Sequence, residues 1–205
     1  MAVDNKKEQE REELHRAIWA IADDLRGAVD GWDFKNYVLG TMFYRYISEN
    51  LTAYINDGEE AAGNRGFDYA ELSDIEAEEA REGLVEEKGF FILPSELFCN
   101  VRAKADRGET WVDTKGAEVL LNEKLEEVFR HIEDSAKGSV SEGSFAGLFD
   151  DFDVNSNKLG STVAKRNERL VKLLDGIASM NLGSVKDHER DAFGDAYEYL
   201  IITIQ

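Results

Sequence analysis

Histidine and cysteine, the side chains best suited to acid–base, metal or nucleophilic chemistry near neutral pH, are rare in this chain. The three histidines are His15, His131 and His188, and the one cysteine is Cys99. They are far apart in sequence and match no zinc pattern such as H-E-x-x-H. We therefore interpret the histidines as solvated surface residues and Cys99 as a buried structural thiol, and we predict no metal site.

The spacing of the glycines excludes the common glycine-rich loops that bind nucleotides or S-adenosylmethionine. No two of the 17 glycines are spaced as G-x-G, and no G-x-x-x-x-G-K-[ST] loop is present. The stretch Asp151 to Thr162 begins like a calcium-binding loop, but Ser156 and Thr162 occupy the positions that require glycine and a bidentate glutamate. We interpret it as a polar turn in which Thr162 caps the following helix. No catalytic or cofactor-binding residue is predicted.

One group of cations could contact the phosphate backbone of DNA. It consists of Lys158, Lys165, Arg166, Arg169 and Lys172. Positions 165, 169 and 172 follow the i, i+4, i+7 spacing of one helical face. The alternative is a solvated helix face whose cations pair with acids elsewhere in an acidic protein. The sequence leaves both interpretations open.

The elements that position these groups are predicted to be helices. Apolar residues recur with a 3.6-residue period, and no Asn-Gly or Asp-Gly dipeptide joins two strand-like runs as a hairpin signal. Residues 107–116 read as a loop, and Phe90 to Leu93 reads as a short extended run. The fold class is therefore all-α, a multi-helix array around a central apolar helix with at most a short strand-like segment. The predicted helices cover Glu13–Leu25, Asp33 to near Tyr54, a short one after Ser73, Ser95–Ala105, Leu121–Ile132, Phe145–Phe152, Thr162–Ile177 and Phe193–Leu200. Asp33, Ser73 and Ser95 are the predicted N-caps of their helices, and Ser73 is predicted to form a capping box with Glu76.

The central helix is predicted from the stretch Gly31 to Leu51, which is far richer in aromatic residues than the rest of the chain. Base-stacking surfaces combine aromatic rings with a basic groove, whereas this stretch contains only Lys35 and Arg45 as basic residues. Core packing is therefore the better interpretation. The residues assigned to the core are Phe34, Tyr37, Leu39, Met42, Phe43 and Ile47.

The formal net charge of −19 argues against contact with DNA along the whole surface, because a polyanion would be repelled. However, residues 57–88 contain 12 acidic and 3 basic residues, a net of −9, so nearly half of the excess lies in this acidic insert. No apolar run is long enough for a membrane span, and the charged N-terminus lacks a secretory signal. We therefore predict a cytoplasmic protein without membrane association.

Four segments, taken together and in order, carry a family resemblance. They are IWAIADDLRGAVDGWDFKNYVLGTMFYRYISENL (18–51), GFFILPSELFCNV (89–101), GLFDDFDVNSNKLGSTV (147–163) and DAFGDAYEYLI (191–201). The chain resembles the N-terminal helical domain of the modification (M) subunit of type I restriction-modification systems across residues 13–201. Residues 1–12 are then a charged extension, and residues 202–205 are a tail that departs from the family.

The resemblance implies a DNA adenine N6-methyltransferase that uses S-adenosylmethionine and flips its target adenine out of the duplex. It implies two M subunits that assemble with one specificity (S) subunit on double-stranded DNA, and a nuclease (R) subunit that joins for restriction. The N-terminal helical domain would be one jaw of a clamp around DNA and would make subunit contacts. Within its central helix, Trp32 and Tyr44 would be the residues that face a partner.

The sequence also departs from the family's catalytic pattern. The N-P-P-[FY] motif of the methyltransferase domain cannot be present, because Pro94 is the only proline. We therefore expect a truncated gene product or an expressed fragment, with no cofactor and no activity of its own. Two alternatives remain open: an acidic DNA mimic that inhibits DNA-binding enzymes, and an assembly module that packs its helices against another subunit without touching DNA.

Overall fold

The computed structural model of the protein describes residues 2–25 and 31–182, with side chains for residues 8–25 and 33–182. These residues form eight α-helices and one two-stranded sheet, which confirms the predicted all-α class. The helices are α1 (Ala2–Leu25), α2 (Gly31–Ala61), α3 (Asp74–Glu78), α4 (Arg81–Lys88), α5 (Phe98–Asp106), α6 (Leu121–Ser135), α7 (Glu142–Phe145) and α8 (Val163–Ser179). Short 3-10 helices cover Tyr69–Glu71 and Pro94–Glu96. Across the same ranges, no helix is both long and apolar enough to cross a membrane.

The sheet is an antiparallel hairpin of β1 (Trp111–Val112) and β2 (Glu118–Val119), and β1 lies within residues 107–116, which the sequence predicts to be a loop. The Asp113 carboxylate closes the turn, because it accepts hydrogen bonds from the backbone N–H groups of Lys115 and Ala117, each at 2.8 Å. A side chain thus replaces the usual hairpin dipeptide as the turn signal.

The run from Phe90 to Leu93 is extended, as predicted, and it pairs with no strand of the described residues. Side chains satisfy its backbone instead of a neighbouring strand. The Phe91 N–H donates to Ser135 Oγ at 2.9 Å, and the Tyr69 hydroxyl donates to the Ile92 carbonyl oxygen at 2.8 Å. Because buried backbone polar groups need partners, these two bonds permit burial of the run without a sheet.

Several helix boundaries also differ from the prediction. Helix α1 begins at Ala2 rather than Glu13, and α2 continues beyond Tyr54 to Ala61. The predicted helix over Phe145–Phe152 is reduced to α7, because the chain turns immediately afterwards at Gly147 with a φ of 70°. The predicted helix over Phe193–Leu200 lies outside the described residues.

Two predicted N-caps have opposite outcomes. Ser73 caps α3 in a capping box with Glu76, as predicted, because each side chain bonds the other residue's backbone N–H. Ser95 does not cap α5, which follows Leu97. Instead, the Ser95 hydroxyl and N–H donate to the Asp74 carboxylate at 2.6 and 2.9 Å, which fixes Ser95 in a 3-10 turn.

The chain divides into two compact units. Unit 1 comprises Met1–Phe43 with Asp151–Gln205, and unit 2 comprises Tyr44–Asp150, so one boundary falls inside α2. In unit 1, α1 packs on α8 through the predicted apolar faces of both helices. The buried residues of these faces are Leu14, Ile18, Ile21 and Leu25 from α1 and Leu170, Leu173, Leu174 and Ile177 from α8.

Two glycines permit close packing in unit 1. A Cβ on Gly176 of α8 would lie 2.4 Å from Ile21 Cγ1, and a Cβ on Gly40 of α2 would lie 2.6 Å from the Phe152 ring. The Phe152 ring also meets Tyr37 edge-on, with centroids 5.1 Å apart, and the Tyr37 hydroxyl donates to the Asp153 carbonyl oxygen at 2.8 Å. The segment after residue 151 is therefore fixed against the first half of α2.

In unit 2, aromatic rings from α2, α5 and α6 form the core. Tyr44 meets Phe98 and Phe129 edge-on, with centroids 5.5 Å apart in both pairs, and Phe129 stacks on Phe149 at 4.1 Å. The acidic segment 57–88 also belongs to this unit and contributes buried side chains to it, including Tyr69.

Candidate functional site

The five cations that the sequence singles out lie in unit 1, on α8 and on the loop before it. The Thr162 side chain accepts a hydrogen bond from the Lys165 N–H at 3.2 Å and caps α8, which confirms the predicted polar turn. Lys165 and Arg166 therefore lie in the first turns of α8. Cations are disfavoured there by the helix macrodipole, so helix stability does not explain their presence.

The two arginines hold the loop that precedes α8. Arg166 Nη1 donates to the Gly160 carbonyl oxygen at 3.0 Å and to Asn157 Oδ1 at 3.4 Å. Arg169 Nη1 donates to the Leu159 carbonyl oxygen. Part of each guanidinium is thus committed to the fold, a role that the helical spacing does not indicate because the acceptors are mostly backbone atoms.

The three lysines are more accessible. Lys158 pairs with Asp33, which lies in the first turn of α2 rather than at its predicted N-cap position. Lys172 Nζ lies 3.2 Å from Glu168 Oε1 in an i, i+4 pair, with 45% of its side chain exposed. Lys165 is exposed as well. Contact between this group and DNA stays a prediction.

The prediction that Tyr44 faces a partner is wrong. Its side chain is fully buried in unit 2, and its hydroxyl donates to the Glu96 carbonyl oxygen. Four of the six residues that the sequence assigns to the core are buried, whereas Leu39 and Phe43 are only half-buried. The side chain of Trp32 lies outside the described part of the chain.

A signal for the burial of Tyr44 is present in the sequence. One stripe of α2 follows alternating steps of four and three residues, and all of its members are buried. They are Tyr37, Thr41, Tyr44, Ser48 and Leu51. Thr41 and Ser48 are polar, so a search for apolar residues alone does not detect the helical period. Both hydroxyl groups have hydrogen-bond partners: Thr41 Oγ1 donates to the Tyr37 carbonyl oxygen at 2.8 Å, and Ser48 Oγ accepts from the Phe98 N–H at 3.2 Å.

Sequence reasoning also missed a buried ionic cluster in unit 2. Glu96 is 2% exposed, and its Oε1 lies 3.0 Å from Lys124 Nζ and 2.8 Å from His131 Nδ1. Burial alone would lower the pKa of Lys124, but attraction to Glu96 and hydrogen bonds to Glu127 and Glu96 outweigh it and raise that pKa. His131 is therefore not an isolated surface histidine.

The remaining histidines and the cysteine lie outside this cluster. His15 is half-buried on α1, and His188 lies outside the described residues. Cys99 is exposed, so its predicted burial is wrong. Partial desolvation of the sulfur, with the nearby Asp68 and Glu49 charges, nevertheless raises the pKa of the thiol, and this disfavours a reactive thiolate.

The sequence matches a known protein family. A family model described as the HsdM N-terminal domain matches residues 14–177. The chain belongs to the HsdM N-terminal domain family. The family resemblance drawn from the four sequence segments is thereby confirmed.

The chain spans little more than a third of the length of two proteins that it resembles. It is 44% identical over 203 residues to the type I restriction enzyme MpnII methylase subunit of Mycoplasma pneumoniae, a match that covers 97% of this chain and 36% of that protein. It is also similar to the crystal structure of a type I restriction-modification system methyltransferase subunit from Streptococcus thermophilus. That similarity has a TM-score of 0.68 and 28% identity, and it covers 93% of this chain and 38% of the other.

Proposed function

We propose that this HsdM N-terminal domain acts as the clamp and assembly domain of a type I M subunit. The observation that carries the proposal is the 44% identity to a methylase subunit across 97% of the chain. In the proposal, the full-length M subunit transfers a methyl group from S-adenosylmethionine to adenine N6 of DNA in the cytoplasm. It assembles with a second M subunit, the S subunit and, for restriction, the R subunit.

The DNA contact in this proposal is made by Lys158, Lys165 and Lys172. Their accessibility supports the assignment, as does the placement of Lys165 where the helix macrodipole disfavours a cation. An ammonium on an exposed helix can approach a phosphate oxygen without desolvating a core. Arg166 and Arg169 are proposed to add positive electrostatic potential without contacting DNA directly, because their hydrogen bonds hold the loop that carries Lys158.

The test is the double substitution Lys165→Ala and Lys172→Ala. Arg166 and Arg169 are left unchanged, because their replacement would also disturb the loop. DNA binding is measured with the chain assembled with the methylase and specificity subunits of its system, at several salt concentrations. We expect weaker binding and a salt slope reduced by about 0.9 for each phosphate that the variant no longer neutralises.

A charge-matched control is available in unit 2, where Lys115→Ala and Lys137→Ala remove two exposed lysines. This control should leave the salt slope unchanged. An unchanged slope in the Lys165/Lys172 variant, or an equal reduction in the control, would contradict the DNA contact. Inhibition of an unrelated DNA-cleaving enzyme by the chain alone would instead support the acidic DNA mimic.

A further inference from the structure

Unit 2 contains a groove lined by apolar and acidic side chains, which plays no part in the proposed DNA contact. It lies between the C-terminal part of α2 and the segment that runs from residue 67 to residue 87, and its volume is about 700 Å³. Side chains that line it and are apolar include Ile55, Phe67, Leu72 and Leu84. The first three are half-buried, so they present apolar surface that the fold leaves partly open. The volume is within the range of about 300–1,000 Å³ that is typical of binding pockets.

Carboxylates surround this apolar surface. Asp57, Glu59, Glu76, Glu79 and Glu87 all line the groove, and none of the described residues that line it is lysine or arginine. We call this feature, an apolar floor with five carboxylates, the acidic groove.

The fold orients several of these carboxylates without neutralising them. Glu76 accepts a hydrogen bond from the Ser73 hydroxyl at 2.6 Å, and Glu59 accepts one from the Asn64 amide at 2.5 Å. Glu87 accepts one from the Tyr54 hydroxyl. These donors carry no charge, so the negative charge of the acceptors is retained. The bonds from Ser73 also lower the pKa of Glu76, which keeps it ionised at neutral pH.

A cation of the chain that does not itself line the groove contacts Tyr54, one of the residues that do. The Lys88 ammonium lies 4.3 Å from the centroid of the Tyr54 ring, and Tyr54 also bonds Glu87. This arrangement shows that the rim accommodates an ammonium against an aromatic face with a carboxylate beside it. A ligand that repeats this chemistry along the groove would carry several cations.

We propose that the acidic groove binds a basic amphipathic helical segment of another polypeptide. Apolar side chains of that segment would fill the floor, since burial of apolar area drives such association. Flanking lysine or arginine side chains would meet the five carboxylates, which steer a cationic partner towards the groove. DNA does not fit the site, because the same carboxylates repel a polyanion. This surface is distinct from the proposed DNA contact in unit 1, and either proposal can fail without the other.

The first experiment selects ligands from a phage-displayed library of random helical peptides on the full chain. Bound phage are counter-selected on a Glu79→Lys/Leu72→Ala variant, so that only groove-dependent sequences survive. We expect enrichment of apolar residues at i, i+3 or i+4 spacing, flanked by lysine or arginine. No enrichment over the counter-selecting variant, or enrichment of neutral or acidic sequences, would overturn the proposal.

The second experiment measures the affinity of a selected synthetic peptide for single variants of the chain. Leu72→Ala should weaken binding roughly tenfold, because the peptide then buries less apolar area, and Glu79→Lys should weaken it about threefold to fivefold. The matched controls are Ile75→Ala and Glu82→Lys, which change an exposed apolar side chain and an exposed carboxylate that do not line the groove.

Equal weakening in a variant and its control would show attraction to the acidic surface in general and would overturn the proposal. The same holds if spermine displaces the peptide completely at equal charge concentration, because the groove would then recognise cations without the apolar side chains. The Glu79 side chain is exposed and makes no structural hydrogen bond within the described chain, so the Glu79→Lys result does not depend on a folding defect.

Discussion

Glu96 lies at the centre of the polar interactions inside unit 2. Its carbonyl oxygen accepts the bond from the buried Tyr44 hydroxyl, and its carboxylate meets Lys124 and His131. Lys124 is itself 8% exposed, so both members of the ion pair are largely removed from water. Such a pair adds little net stability, but removal of one partner leaves the other charge in the interior with less compensation than before.

The contribution of this ion pair to stability can be tested with Glu96→Gln and Lys124→Met, made singly and together. Glu96→Gln should lower the free energy of unfolding by up to about 3 kcal/mol, because the largely buried Lys124 then keeps only Glu127, at 2.9 Å, as a counter-charge. The double variant should recover much of this decrease, since neither charge remains. Urea unfolding of the four proteins of this cycle measures both effects. A double variant as unstable as Glu96→Gln alone would show that the pair is not the cause.

Three buried tyrosines predict how stability depends on pH. Burial raises the pKa of Tyr37 to about 12, and it also raises the pKa values of Tyr44 and Tyr69 above the ordinary value of 10.0. Above pH 10 the unfolded chain loses these protons first, so the tyrosines' contribution to stability is constant below that pH and is lost as the pH rises further. The raised pKa of Lys124 acts in the same direction above its ordinary value of 10.5.

Each such group contributes a slope of up to about 1.4 kcal/mol per pH unit. Urea unfolding at a series of alkaline pH values should therefore show a smaller slope for Tyr37→Phe than for the unchanged chain between pH 10 and 12. The absorbance of phenolate, measured against pH, reports the raised pKa of the buried tyrosines directly. Equal slopes for the two proteins would contradict the burial of the Tyr37 hydroxyl group.

At the scale of elements, the α1–α8 pair shows how a single small residue sets the distance between two helices. Both helices have a period of 3.6 residues, which identifies the face that each one buries. The period does not say which helix is the partner. Gly176 permits α8 to approach Ile21 so closely that a Cβ would overlap it.

Gly176→Ala is predicted to destabilise the unchanged chain but to stabilise a chain that also carries Ile21→Ala. In the unchanged chain the overlap should cost about 1–3 kcal/mol, which exceeds the roughly 1 kcal/mol gained from better helix propensity. In an Ile21→Ala background the overlap is absent, so Gly176→Ala should stabilise. Thermal or urea unfolding of the four proteins measures the coupling, and additive effects would exclude a contact between the two positions.

At the scale of the whole molecule, charge is distributed unevenly. The net charge is −19, and residues 57–88, all in unit 2, have a net of −9. The proposed DNA contact lies in unit 1, on α8 and the loop before it. The distribution therefore supports separate surfaces for nucleic acid and for a basic protein segment within one acidic chain.

The 205 residues contain no N-P-P-[FY] motif and no G-x-G loop. The chain tested by itself should therefore transfer no methyl group from labelled S-adenosylmethionine to DNA, since the residues that would hold the flipped adenine and the donor are missing from it. Scintillation counting of the recovered DNA measures this, with a complete M and S assembly as the positive control. Turnover above background would overturn the prediction.

The sequence by itself determined the helical class, the buried faces of α1, α6 and α8, and the family, because periodicity, motifs and segment order are properties of the chain as written. The tertiary structure decided the burial of Tyr44, the bracing by Arg166 and Arg169, and the composition of the acidic groove. In each of these, the partner atoms are contributed by another segment of the chain, as where the Tyr44 hydroxyl meets the Glu96 carbonyl oxygen. Local spacing indicates which face of a helix is apolar, but the partner of a polar group is set only when distant segments pack together.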